Sequence, residues 1–295
     1  MSKEHPPHHI PVLLESALQL LQPSVGENYL DLTAGYGGHA SAILEKTGNY
    51  NDSVLVDRDD YAISHLSSFE QRGARLIHSD FLAASWQLIE EKRVFDLVLI
   101  DLGVSSPQLD QGERGFSFRN NGPLDMRMDR SRGITAAELI DQSTIQQLAD
   151  IIHRFGEEPY MLARHLAESI VANRPFADTE TLAELIKQEY RGRKGKIHPA
   201  TRTFQALRMA VNDELGQIEA MLPLLPRLLK PGGRVAVISF HSLEDRLVKQ
   251  FLREQHDAGF EAELEVLTKK PIDGAMADVH NPRSRSAKLR AAVKK

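Results

Sequence analysis

The sequence predicts an α/β fold: a doubly wound parallel sheet with an inserted helical domain. Short apolar runs alternate with helical periodicity over the first hundred residues. The run FDLVLID at 95–101 is apolar almost throughout, which is typical of a strand buried on both faces. The alternation stops after Pro107, and a further apolar strand pattern returns at 234–240. We therefore expect a sheet-containing domain built from 1–106 and 199–295, interrupted by a mostly helical domain at 107–198.

Each element follows from a local pattern. Strands are expected at 29–32, 54–56, 75–78, 95–101 and 234–240, with edge strands at 263–268 and 289–293. Helical periodicity covers 13–21, 39–45, 62–69, 86–91, the segment 136–190, 201–215 and 243–255. A further helix is expected at 218–229, kinked or broken by Pro223 and Pro226. Thr179 carries an N-cap signal, Ser242 and Asp245 have the spacing of a capping pair, and 230–233 (KPGG) predicts a tight turn.

Composition narrows the function classes. The chain has 295 residues, 41% apolar and 26% charged, which is typical of a soluble globular protein. It has no cysteine, which excludes disulfides, thiolate metal sites and a cysteine nucleophile. No apolar run approaches the roughly 20 residues of a membrane span, and the N-terminus lacks an apolar signal core. We expect a cytoplasmic enzyme that makes no membrane contact.

Basic residues are concentrated in three places, although the net charge is −5. The last 27 residues hold eight Lys and Arg against two aspartates, and RGRKGK at 191–196 is a second patch. Five arginines between 114 and 132 form a looser third. Any one of these patches can be a solvated loop, but three in an acidic chain favour a phosphate-bearing partner that meets local charge.

A glycine-rich turn follows the first strand in the segment DLTAGYGGH at 31–39. Glycines let a backbone approach a ligand, and the free N–H groups of a helix start can bind it. Asp57, at the end of the second strand, has the position of an acid that accepts from ribose hydroxyls. The turn is not G-x-G-x-x-G, and Asp31 precedes it, which suits cationic S-adenosylmethionine better than a pyrophosphate. The alternative is that these glycines serve turn geometry only.

Other candidates lie where parallel strands end, because ligands of open α/β sheets bind there. Asp80 is a candidate acceptor for an adenine amino group and Phe81 for packing on its ring, with an ordinary core position as the alternative for Phe81. Asp101 follows a buried strand, where an unused charge is costly. His241 after the fifth strand is either a substrate contact or a helix cap. His5, His8, His9 and His198 are not spaced as a metal site and the Glu-Asp pairs lack the context of a magnesium site, so we expect no catalytic metal.

Seven long segments together resemble the bacterial small-subunit rRNA cytosine-N4 methyltransferases, the RsmH or MraW family. They are GYGGH at 35–39, DLGVSSPQLD at 101–110, ERGFSF at 113–118, GPLDMRMD at 122–129, HPATRTFQA at 198–206, ISFHSLEDR at 238–246 and NPRSRS at 281–286. The resemblance spans nearly the whole chain. It implies a Rossmann-like class I S-adenosylmethionine-dependent methyltransferase sheet with an inserted helical domain, and methylation of N4 of one cytidine in the decoding region of 16S rRNA.

The resemblance also implies roles for individual residues. Carried over from the family, the cofactor contacts fall on Gly37, Gly38, His39, Asp57, Phe81, Asp101 and Gln108. We expect the proton acceptor for the cytosine amino group at Asp101 or in the nearby pair Ser105 and Ser106. The choice stays open, because many amino-methyltransferases have an Asp/Asn-Pro-Pro-aromatic motif here and this chain has SPQ at 106–108 instead. Candidate substrate contacts are Arg114, Arg127, His241, Arg283, Arg285 and Arg290.

Two other classes of protein stay in view. A scaffold that keeps the fold predicts cofactor binding without turnover, and a nicotinamide oxidoreductase is disfavoured by the irregular glycine motif. Methylation at cytosine C5 normally needs a cysteine, so the cysteine count favours N- or O-methylation. The target base must be unpaired or flipped out. The resemblance favours an assembled small ribosomal subunit as the substrate, and a homodimer stays open.

Overall fold

The computed structural model describes residues 11–104, 106–190 and 198–295. The strands are β1 Tyr29–Asp31, β2 Val54–Asp57, β3 Arg75–His78, β4 Phe95–Asp101, β5 Leu229–Ser239, β6 Leu264–Val266, β7 Ile272–Asp273 and β8 Lys288–Lys294. The helices are α1 Leu14–Leu21, α2 Gly38–Thr47, α3 Asp60–His65, α4 Ser67–Gln71, α5 Phe81–Glu90, α6 Ser106–Asp110, α7 Ala136–Gln142, α8 Ile145–Gly156, α9 Tyr160–Asn173, α10 Thr179–Glu189, α11 Ala200–Asn212, α12 Glu214–Met221, α13 Leu225–Leu228, α14 Ser242–Asp257 and α15 Gly274–Ala277.

The chain divides into two compact units. The sheet unit comprises the residues up to Gly103 together with Gly216–Lys295, and the helical unit comprises Val104–Leu215. The sheet unit thus resumes at Gly216, 17 residues after the return predicted at 199. The reason lies in α11: its Phe204 and Leu207 belong to the same apolar core as Leu148 and Ile152 of α8.

The sheet unit is built on strands in the order β3-β2-β1-β4-β5-β8-β6, with β7 paired to β8. Strands β1 to β5 are parallel, and β8 runs antiparallel to β5 and to β6. Strands β2 and β3 lie on one side of β1, and strands β4 and β5 lie on the other, so the order reverses between β1 and β4. The switch point of this doubly wound sheet is therefore at the carboxyl ends of those two strands.

One strand prediction and one turn prediction need correction. The segment 289–293 is not an edge strand, since β8 pairs with β5 on one side and with β6 and β7 on the other. The predicted turn at 230–233 is a bulge inside β5: pairing with β4 shifts from Phe95–Leu229 to Leu97–Arg234. Gly232 in this bulge has φ +77°, a conformation that glycine adopts without strain.

The helical unit is built from α6 to α11 around its own apolar core. Side-chain caps explain where several helices begin: Thr135 and Thr144 form capping boxes with Glu138 and Gln147. The cap of α10 is Asp178, one residue before the predicted Thr179. No helix in the described segments is long and apolar enough to cross a membrane.

Candidate functional site

Three strands that meet at the switch point end in aspartates. Asp31 ends β1, Asp57 ends β2 and Asp101 ends β4, and β1 is hydrogen-bonded to both of the other strands. The carboxyl ends of neighbouring parallel strands share one edge of the sheet, so the three side chains gather there. The turn from β1 to α2, which contains the predicted glycines, leaves from the same edge.

Asp57 ties the glycine-rich turn to the second strand. Its Oδ2 accepts from the Gly35 N–H at 2.8 Å, and its Oδ1 accepts from the Asp59 N–H at 2.9 Å. Burial raises the pKa of Asp57 above its ordinary value, although both backbone N–H groups oppose that rise. A carboxylate oxygen can accept more than one hydrogen bond, so the acceptor role toward ribose hydroxyls remains compatible with these contacts.

The two following glycines are required by packing. A Cβ added at Gly37, which has φ +77°, would lie 2.4 Å from Cε2 of Phe69. A Cβ added at Gly38 would lie 2.6 Å from Cγ of Pro11. A real Cβ essentially never comes this close to another heavy atom. Packing and turn geometry alone therefore require glycine at both positions. The cofactor roles of Gly37 and Gly38 remain predictions.

Asp31 is 1% exposed and fully engaged with its own strand and turn. Its Oδ2 accepts from the Tyr29 hydroxyl at 2.7 Å, and its Oδ1 accepts from the Thr33 N–H at 3.1 Å. Burial raises its pKa to about 7, and the nearby Asp57 adds to the rise. The Thr33 hydroxyl oxygen in turn accepts from the Asp101 N–H at 2.6 Å. Thr33 was not predicted; its place two residues after Asp31 was the available signal.

Asp101 offers an unused acceptor. Its Oδ1 is buried and has no hydrogen-bond partner among the described residues, while its Oδ2 lies 3.6 Å from Nδ1 of His39. Burial, and after it the carboxylates of Asp31 and Glu244, raises the pKa of Asp101 well above its ordinary value. A buried acceptor without a donor costs free energy, and a bound group that donates a hydrogen bond would satisfy it.

Three acids with raised pKa values at one edge define the kind of ligand that fits. Each would be easier to ionise next to a positive charge or to N–H and O–H donors. S-adenosylmethionine carries positive charge on its sulfonium and ammonium groups, and it carries hydrogen-bond donors on its ammonium and ribose hydroxyls. A pyrophosphate would add negative charge beside Asp31, Asp57 and Asp101, which argues against a dinucleotide. The residues present therefore fit S-adenosylmethionine.

The third strand leads to Asp80 and Phe81. Asp80 is the N-cap of α5, and its Oδ1 accepts from the Ala83 N–H at 2.8 Å. Phe81 begins α5 and is half-buried, so it is neither a full core residue nor an exposed one. A contact of these residues with an adenine ring stays a prediction.

His241 is a helix cap, one of the two roles left open for it. Its Nδ1 accepts from the Glu244 N–H at 3.3 Å, and Glu244 Oε2 accepts from the N–H groups of Phe240 and His241 at 2.7 and 3.3 Å. The predicted capping pair, Ser242 with Asp245, was thus one residue too late. Asp245 instead pairs with Arg290. A substrate contact of His241 stays a prediction.

The loop after β4 is described only in part. Ser105 lies outside the described residues, and for Ser106 the structure gives only its place at the start of α6. Gln108 is a buried residue of α6 and belongs to the helical unit. The basic patch at 191–196 also lies outside the described residues. The catalytic roles of Ser105 and Ser106 and the cofactor role of Gln108 stay predictions.

Two of the predicted substrate arginines are structural. Arg114 is 6% exposed and donates to the Met128 carbonyl at 3.1 Å within the helical unit. Arg290 is also 6% exposed, and its Nε and Nη2 donate to the two carboxylate oxygens of Asp245 at 2.7 and 3.1 Å. Burial raises the pKa of Asp245, but Arg290 and Lys288 more than offset this, so the net shift is downward. Both side chains are thus buried and bonded within the protein, and their substrate roles stay predictions.

The other arginines differ in exposure. Arg127 donates from Nε and Nη2 to Asp125 at 2.8 and 3.1 Å, which neutralises much of its charge locally. Arg283 and Arg285 are exposed on the short 3-10 turn Pro282–Ser286 of the sheet unit. These two remain the best-placed predicted contacts for an anionic partner.

The sheet order and the aspartate-lined edge together define a class I methyltransferase fold, as the sequence predicted. The MraW methylase family matches residues 7–295, and the chain belongs to that family. This confirms the resemblance found in the sequence and S-adenosylmethionine as the cofactor.

Curated relatives are similar over almost their full length. The ribosomal RNA small subunit methyltransferase H of Synechocystis sp. is 47% identical, covering 97% of this chain and 93% of that protein. The protein of the same name from Acidobacterium capsulatum is 46% identical, covering 97% and 98%. The solved structure of an rRNA methylase from Streptococcus thermophilus is a more distant likeness, with a TM-score of 0.43 at 9% identity over 99% of both chains.

Proposed function

We propose that this protein methylates small-subunit rRNA, and specifically the N4 amino group of one cytidine in the decoding region of 16S rRNA. Relatives at 46–47% identity carry the name of a small-subunit rRNA methyltransferase, which supports the substrate class. The observation that carries the proposal is the buried Oδ1 of Asp101, which lacks a hydrogen-bond partner among the described residues. It is a carboxylate oxygen placed to accept from an amino group.

Different residues at the switch point would bind different parts of the cofactor. Asp57 would accept from the ribose hydroxyls, and the N–H groups at the start of α2 would meet the amino-acid end of the cofactor. Bound S-adenosylmethionine supplies an electrophilic methyl group on a sulfonium. The remaining task of the protein is alignment, because methyl transfer is an in-line displacement.

The amino group of cytosine is a weak nucleophile, because its lone pair is delocalised into the ring. A hydrogen bond from N4–H to the Asp101 carboxylate favours localisation of that lone pair on nitrogen, and the same carboxylate can take the proton that the product loses. Burial raises the pKa of Asp101, and the positive charge of bound S-adenosylmethionine would favour its ionised form, which is the form that can take the proton. Asp101 is thus the proposed catalytic residue.

Exposed arginines are the proposed contacts with RNA. Arg283 and Arg285 lie on an exposed turn of the sheet unit and would contact the RNA backbone. An RNA base paired in a duplex cannot reach a pocket at the sheet edge, so the target cytidine must be unpaired or flipped out. We propose the assembled small subunit as the substrate in preference to free rRNA.

The test is methyl transfer from labelled S-adenosylmethionine to small subunits, and to free 16S rRNA, that lack this modification. Wild type, Asp101→Ala, Asp101→Asn and the exposed control Asp52→Asn are compared, and the labelled nucleoside is identified. We expect N4-methylcytidine from wild type and the control, and a loss of about 100-fold or more from both Asp101 variants. Tight cofactor binding with no labelled RNA from wild type would favour the scaffold alternative.

A further inference from the structure

The orientation of the His39 ring is fixed by the backbone of another segment. His39 lies in the first turn of α2 and is 6% exposed. Its Nε2 lies 3.0 Å from the carbonyl oxygen of Val12. A carbonyl oxygen can only accept, so Nε2 carries the proton of this hydrogen bond, and the ring cannot turn over without losing it.

The segment that holds the ring is itself held on two sides. The Leu13 N–H donates to Oδ2 of Asp278 at 3.0 Å. Pro11 packs against the bare Cα of Gly38, where an added Cβ would lie 2.6 Å from its Cγ. Val12 therefore has little freedom, and the second ring nitrogen of His39 is directed toward Asp101 by the backbone.

Asp101 is held through its other oxygen and its own backbone. The Asp101 N–H donates to the Thr33 hydroxyl at 2.6 Å. Nδ1 of His39 lies 3.6 Å from Oδ2, which is longer than a hydrogen bond. Because Nε2 already carries a proton, Nδ1 attracts the carboxylate when the ring is doubly protonated and both ring nitrogens are donors. A carboxyl group can otherwise rotate and exchange its two oxygens, so a contact at Oδ2 decides that Oδ1 is the oxygen offered to a ligand.

We propose that His39 is a positioning residue for Asp101: held by the Val12 carbonyl, its Nδ1 retains Oδ2 and leaves Oδ1 for the donor group of the substrate. This role rests on the proposed function, in which that donor is the cytosine amino group. It is separate from the cofactor contact inferred from the family, which the backbone N–H groups at the start of α2 can make without the ring.

Two substitutions separate the two ends of the ring. In His39→Asn the amide nitrogen occupies about the place of Nδ1 and can still meet Asp101, but the bond to Val12 is lost. In His39→Gln the amide reaches the place of Nε2 and can still meet the Val12 carbonyl, but nothing replaces Nδ1. Exposed His256, in the last turn of α14, provides the control His256→Asn.

Single-turnover rates and the Kd of S-adenosylhomocysteine are measured for each variant on small subunits lacking the modification. We expect His39→Gln to lose about 10- to 100-fold in the methyl-transfer rate. His39→Asn should lose less than His39→Gln, because its amide can still meet Asp101 although the bond to Val12 is gone, and the Kd should change little in either. The loss in His39→Gln should largely disappear when it is measured in an Asp101→Asn background, because the two residues act as one unit.

Equal losses in His39→Asn and His39→Gln, or an undiminished loss in the Asp101→Asn background, would overturn the positioning role while wild type still methylates. A tenfold rise in the Kd of S-adenosylhomocysteine with an unchanged rate would also overturn it, since His39 would then be a cofactor contact. A wild-type protein that makes no N4-methylcytidine would overturn the proposed function and this role together. The failures are therefore distinguishable.

Discussion

Replacing Arg290 with alanine should destabilise the sheet unit without acting on RNA directly. Arg290 in β8 and Asp245 in the first turn of α14 are both buried and joined by two hydrogen bonds of 2.7 and 3.1 Å. Removing one partner of a buried pair leaves an uncompensated charge and costs about 3–5 kcal/mol. Lys288 remains 3.6 Å from Asp245 and offsets part of this. We therefore expect a loss of about 3 kcal/mol in the free energy of unfolding.

The assay is urea unfolding followed by the fluorescence of Trp86, the single tryptophan, which lies in α5 of the sheet unit. Arg290→Met combined with Asp245→Leu should recover most of the stability, because an apolar pair leaves no buried charge. Arg253→Ala, which removes an exposed ion pair within one helix, should cost less than about 1 kcal/mol. A stable Arg290→Ala variant that binds RNA more weakly would refute the structural role and restore the role predicted from sequence.

Three further results are expected. Gly37→Ala should lower the free energy of unfolding by about 1–3 kcal/mol more than Gly26→Ala does. Both positions have positive φ, but only at Gly37 does a side chain lie within 4 Å of the added Cβ. Unfolding curves of the two variants, measured side by side, test this. The pKa of Asp31 is raised to about 7 in the folded protein, so its contribution to the free energy of unfolding is fully present below pH 4 and is lost as the pH rises through 7. Relative to Asp31→Asn, the wild type should lose up to about 4 kcal/mol of stability over that range. A difference between the two proteins that does not change with pH would contradict the raised pKa. Arg283→Ala with Arg285→Ala should weaken RNA binding and reduce its salt slope by about 2, whereas an unchanged slope would place the RNA elsewhere.

Local patterns were enough for the elements and for the edge of the sheet that forms the site. The apolar run of β4 and the glycine-rich turn after β1 are short-range signals, so the strands and the switch point could be predicted from the sequence. The acids Asp57 and Asp101 followed because parallel strands end at one edge. Motifs spread over the whole chain were enough to predict the family, and the family match over residues 7–295 confirms it.

Charge partners were not available from the sequence. Arg290 and Asp245 are 45 residues apart, and nothing local in NPRSRS or in the residues that follow it distinguishes exposed Arg285 from buried Arg290. Likewise, α11 reads as an ordinary amphipathic helix, and only its packing against α8 assigns it to the helical unit. Periodicity reports which face of an element is buried, but it does not report what that face is buried against.

The sequence by itself determined the fold class, the glycine-rich turn with its strand-end acids, and the methylase family. Tertiary structure decided which charges are available and how the acids are held: Asp31 between Tyr29 and Thr33, and Asp101 beside His39 with one oxygen left over. The physical reason is one of range. Strands, caps and turns are set by residues a few positions apart, whereas burial, pKa values and ion pairs depend on groups that only the folded chain brings together.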